Sequence, residues 1–136
     1  MELSAQMPVN KVDNVELMLD NIRLQYKFGD IENLRGKRIR IIEAFRNTET
    51  PTSPMGNTLV ADEIFNKAYL VLCINGKEEI NRVPLRVFNP TNNSGRRVLL
   101  NDLSIDWPKS YVELGSIANV NVGTAFFFNV YYEDKK

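Results

Sequence analysis

The sequence contains no histidine. That absence removes the commonest general base, the usual nitrogen ligand for transition metals and the side chain that titrates near neutral pH. Ser-His-Asp and Cys-His catalysis are excluded with it, as are zinc sites built on imidazole. Cysteine is almost as scarce. Cys73 stands alone inside the apolar run YLVLCI, so no internal disulfide forms and the thiol reads as a small buried apolar side chain. Net charge is missing too: 17 basic and 17 acidic residues cancel, so no global field draws the chain toward nucleic acid or an anionic membrane, and any such contact must be a local patch. No stretch approaches the ~20 consecutive apolar residues of a membrane span. The opening MELSAQMPVNK has an acid where a secretory signal is basic and lacks an apolar segment, so no signal peptide is seen and the expectation is a soluble chain.

What is present is an ordinary folded composition. With 136 residues, 43% hydrophobic and 25% charged, the chain suits one domain whose stability comes from packing. Residues 1–20 read as an N-terminal arm, because Val15, Leu17 and Leu19 alternate as in a strand while Val15, Met18, Leu19 and Ile22 also share a helical face. Ile22, Leu24, Tyr26 and Phe28 then alternate with polar residues up to Gly29-Asp30, a half-buried strand. A second strand runs from Lys37 to Phe45, where Ile41-Ile42 breaks the alternation and points to a bulge or a covered second face. Arg46 to Thr58 is a long connection with Pro51, Pro54 and Gly56, and Leu59 to Lys67 suits one helical turn. Ala68 to Ile74 is apolar throughout, as in a central strand, and Asn75-Gly76 after it is the strongest hairpin signal in the chain. Pro84 stops the next strand at an edge or bend, and Leu85 to Phe88 reads as resumed extension. Short strands at 97–100, 103–107, 111–114, 119–122 and 125–132 follow, with Trp107 as a core residue. The fold class expected is all-β: a single-domain, jelly-roll-like β-sandwich of about eight antiparallel strands over residues 21–136.

Candidate sites are few. The closing strand carries Phe126, Phe127, Phe128, Tyr131 and Tyr132; the alternation assigns Phe126, Phe128, Val130 and Tyr132 to the core and Phe127, Asn129 and Tyr131 to a mixed second face. A second face with this much apolar bulk implies a cover, so Phe127 and Tyr131 are candidate contact residues between copies, together with Val15, Leu17 and Leu19 of the arm. Arg23, Lys27, Arg38 and Arg40 form a basic stripe if their strands pair, which is what phosphate contact requires; charges on the wet face of a sheet serve solubility equally well. Asp102 with Asp106 is the best-spaced carboxylate pair, yet both sit where turns favour aspartate. Asn101, Asp102, Asp106, Asn119 and Asn121 match no calcium loop. Catalytic, metal and cofactor residues are therefore expected to be none. The tyrosines Tyr69, Tyr111, Tyr131 and Tyr132 leave a carbohydrate- or surface-binding module as the alternative to a structural role.

Eight strands, bends at Pro84 and Pro108 and an extended arm together resemble the single jelly-roll subunits of viral or phage shells, including minor vertex proteins. The resemblance covers Ile22 to Tyr132 as a strand pattern and rests on no diagnostic motif. It implies a non-enzymatic structural subunit of a homo-oligomer, partnered by itself and by other virion proteins, located in the virion or otherwise in the cytoplasm. The absence of histidine speaks against the metal-binding cupin branch of the same architecture. On this reading, deleting Met1 to Asp20 leaves the sandwich folded and weakens only assembly.

Overall fold

The fold was described from a computed structural model, which covers residues 11–19, 24–74, 77–91, 99–115 and 123–133. Those residues include eight strands: β1 Lys11–Met18, β2 Gln25–Lys27, β3 Arg38–Phe45, β4 Ala68–Ile74, β5 Lys77–Pro84, β6 Leu99–Leu103, β7 Tyr111–Leu114 and β8 Ala125–Glu133. They form two antiparallel four-stranded sheets, ordered β1-β8-β3-β6 and β2-β7-β4-β5, so the expected all-β sandwich is found. Its pairing is nested. β1 pairs with β8, β2 with β7, β3 with β6 and β4 with β5, so the first and last of these strands meet and the middle closes on itself. The innermost pair is the expected hairpin, with Ile74 opposite Lys77 across Asn75-Gly76, a dipeptide that lies outside the described residues.

The core lies between the inner faces. Ile39, Ile42, Phe126 and Phe128 of one sheet meet Tyr26, Leu70, Leu72 and Val112 of the other, with Trp107 beside them. Phe28 ties the layers together, its ring edge-on to Trp107 at 5.2 Å and to Phe128 at 5.4 Å; such geometry adds to simple area burial. Cys73 is buried and its thiol donates to the Lys109 carbonyl at 3.2 Å.

Besides the strand expected at 103–107, which stops at Leu103 and gives way to a 3-10 turn at Trp107–Lys109, three local readings change. Residues 11–19 of the expected arm belong to the sandwich: β1 pairs with β8 from Lys11↔Tyr132 to Met18↔Ala125. Val15, Leu17 and Leu19 are buried in the shared core, and Leu19 continues the contact through its amide to the Thr124 carbonyl at 2.8 Å. Residues 1–10 and 20 lie outside the described residues. Second, Leu85–Phe88 is a 3-10 turn rather than extended chain, because Leu85 and Phe88, three apart, both reach the core from one side of such a turn. Third, the strand expected from Ile22 shortens to Gln25–Lys27: Tyr26 is buried, whereas Leu24 is exposed. The strand expected at 119–122 falls outside the described residues.

Irregularities sit where side chains demand them. The pairing of β3 shifts between Ile39 and Ile41 on both neighbouring strands, so Ile39 and Ile42 both reach the core while Ile41 turns to the other face. β5 bulges against β4 between Leu70 and Leu72, where Arg82 takes a left-handed φ of 56°, uncommon for a non-glycine residue. Its guanidinium lies 4.7 Å from the Tyr69 ring centroid and pairs with Glu113, contacts that offset the backbone cost.

Candidate interaction surface

The outer face of the β1-β8-β3-β6 sheet collects most of the residues of interest. Strand alternation and register place Val12, Asn14, Glu16 and Met18 of β1 beside Tyr131, Asn129, Phe127 and Ala125 of β8. Beyond β8 come Ile41, Glu43 and Phe45 of β3. Phe127, expected to contact a neighbour, is buried within one copy at 6% exposure, its ring 5.8 Å from that of Phe45. Tyr131 is half-buried, and its hydroxyl donates to Glu43 Oε1 at 2.9 Å. Asn129 Nδ2 approaches the same oxygen at 3.5 Å. Glu43, which the sequence reading passed over, is 4% exposed; a buried carboxylate is tolerated where donors surround it. Its signal was available, since it sits between Ile42 and Ala44 in an apolar run.

Val15 and Leu17 fill the opposite, inner face of β1, and Leu19, just past its end, joins them in the core. In a single copy they are core, not a surface offered to a partner. The exposed apolar side chains of this strand are instead Val12 at 52% and Met18 at 40%.

The basic stripe does not assemble. β2 and β3 lie in different sheets, so Lys27 is not beside Arg38 and Arg40; Arg23 lies outside the described residues. Arg38 and Arg40 share one partner, Glu133, at 3.1 and 2.9 Å, because the β3 bulge brings two arginines to the end of β8. These contacts neutralise part of the charge a phosphate would meet. The Asp106 backbone carbonyl accepts from Ser110 Oγ at 2.9 Å, and the side chain of Asp102, its expected carboxylate partner, lies outside the described residues. No group of three histidine, cysteine, aspartate or glutamate side chains is placed to hold a metal ion among the described residues.

The long connection after β3 closes over one end of this face. Thr58 and Val60 hydrogen-bond Ala125 of β8 through the backbone at 2.9 and 3.0 Å, and Asn57 Nδ2 donates to Glu16 Oε1 of β1 at 2.8 Å. Its base is fixed by a compact polar network. Arg46 Nε pairs with Glu49 at 2.8 Å and Asp62 at 3.4 Å, while its guanidinium stands 5.5 Å from the Phe65 ring centroid. Asn89, fully buried, donates to the Ala44 carbonyl at 3.0 Å and to Glu49 at 3.1 Å. Burial pushes the Glu49 carboxyl up, but hydrogen bonds from the Arg46 side chain, the Arg46 backbone and Asn89, with the Arg46 charge, outweigh it and hold the group below its ordinary value. The loop is thus part of the folded unit. Asp62–Phe65 is the single helical turn expected in this region.

No helix among the described residues is long and apolar enough to cross a membrane. No protein-family model, curated protein or solved structure matches this chain.

Proposed function

We propose that the chain is a non-enzymatic structural subunit of a homo-oligomeric assembly, a jelly-roll protein of a viral or phage shell. The observation that carries this reading is the nested pairing β1·β8, β2·β7, β3·β6 and β4·β5. A ribbon of four such pairs, rolled once so that alternate pairs fall in opposite sheets, is the eight-stranded double Greek key that serves capsids, lectins and cupins. The step from architecture to a shell is a fold-level analogy. Supporting it, one margin of the sandwich exposes apolar side chains: Val12 and Met18 on one face of β1, and Met55 at 73% in the loop tied to β1 by the Asn57–Glu16 hydrogen bond. A contact between copies centred there leaves Phe127 and Tyr131 at its inner border.

Light scattering after size exclusion, with negative-stain electron microscopy, tests the reading. Closed rings or shells at micromolar concentration are the expected result. A strict monomer across the accessible concentration range overturns it.

A further inference from the structure

β1 is the margin of its sheet: among the described residues it pairs with β8 on one side and with no strand on the other. An edge strand presents unpaired N–H and C=O groups that template a further strand unless something blocks them. Among the described residues, no strand fills the space beside this edge. A groove of about 510 Å³ runs between the middle of β1 and the segment from Phe28 to Asn33. Its apolar lining is Val15, Phe28 and Ile31; its charged lining is Glu16, Asp30 and Glu32, all of one sign. Arg35 offsets part of this by pairing with Asp30. Glu16 is the least satisfied of the three. One carboxylate oxygen accepts from Asn57, while the other is buried with no donor among the described residues, a situation that costs free energy until a donor arrives.

We propose that this groove docks an extended, lysine- or arginine-bearing segment of a different polypeptide, which adds a strand to β1. Main-chain hydrogen bonds to the edge supply the pairing, alternate apolar side chains cover the half-buried Phe28 and Ile31, and the cations between them answer Glu16, Asp30 and Glu32. Charge selects against a second β1 in this position. That strand, KVDNVELM, brings Asp13 and Glu16 with a single Lys11, and so adds acid to an acidic groove. The inference does not rest on self-assembly, because every group it uses belongs to one copy.

The test is fluorescence anisotropy at low ionic strength with a labelled octapeptide alternating lysine and valine. Saturable binding with a Kd of roughly 10–500 μM is expected, weakening as salt is raised. The triple substitution Glu16→Gln, Asp30→Asn, Glu32→Gln weakens it about tenfold, the half-buried Glu16 and the exposed Asp30 and Glu32 each contributing a modest factor. The double substitution Asp30→Asn, Glu32→Gln, confined to exposed side chains, gives an intermediate loss and guards against a folding defect at Glu16. Each of four results overturns the proposal: no binding; binding unchanged in both variants; equal binding of a glutamate–valine octapeptide; or equal binding of a lysine–proline octapeptide, which keeps the charge but lacks the N–H groups for strand pairing. Self-association that excludes the peptide and is lost in the same variants overturns it as well, by making a second copy the occupant. Light scattering on the same samples reports the assembly question separately.

Discussion

Removing residues 1–20 should destroy the sandwich. The deletion takes away β1 with Val15, Leu17 and Leu19, which are 6%, 8% and 0% exposed. Burying one such side chain contributes about 1.5–3 kcal/mol, so the three together account for about 4.5–9 kcal/mol. A domain of this size is stable by about 5–15 kcal/mol in total. The loss is compounded on the other side of the contact, because Phe126 and Phe128, whose Cα partners are Leu17 and Val15, lose their cover, and β8 becomes an edge. The expected result is a truncated chain with no cooperative thermal transition, followed by far-UV circular dichroism and by the fluorescence of Trp107, which is 2% exposed in the folded state. A finer version separates packing from mere chain length. Leu19→Ala should cost about 2–5 kcal/mol, whereas Met18→Ala, one residue away on the exposed face, should stay within about 0.5 kcal/mol. A truncated protein that unfolds cooperatively at the parent midpoint, or equal costs for the two alanines, would show that β1 is an appendage after all.

Other outcomes follow from the outer face and the loop. Phe127→Ala should destabilise a single copy by about 3 kcal/mol in urea unfolding, since it opens a cavity against Phe45; an effect on assembly alone would reassign Phe127 to an interface. Tyr131→Phe leaves the buried Glu43 carboxylate without its hydroxyl donor and should cost about 1–3 kcal/mol by the same measurement. Glu49 has its pKa held below the ordinary value of 4.5 in the folded state, so its ionised form adds stability above that pH, lost as pH falls through the lowered value. Glu49→Gln should therefore destabilise at pH 7 and do so less at pH 3; a penalty that is constant or grows with acid contradicts the Arg46–Glu49–Asn89 network. Buried Cys73 should react with a thiol reagent only on unfolding, so fast labelling of the native protein would be inconsistent with its place in β4.

The sequence by itself determined what alternation and turn chemistry can determine. The period of two along β8 assigned Phe126, Phe128 and Val130 to the core, and the structure places them there. Asn75-Gly76 marked the β4–β5 hairpin, and Pro84 marked the end of an edge strand, because a tolerance of positive φ and a missing N–H are local properties of those residue types. β1 shows where such reading stops. Val15, Leu17 and Leu19 alternate visibly, but whether they face a core depends on β8, more than a hundred residues away, and no local preference encodes that pairing. Leu85–Phe88 failed for the same reason: one 3-10 turn meets the core at Leu85 and Phe88, a fact of position rather than of propensity. Only the tertiary structure decided that Lys27 and Arg38 stand in different sheets, that Glu43 is buried beneath Tyr131, and that Glu16 shares a groove with Asp30 and Glu32. Charges and apolar groups become a surface when distant strands set them side by side, and in this sandwich the pairing of β1 with β8 does so.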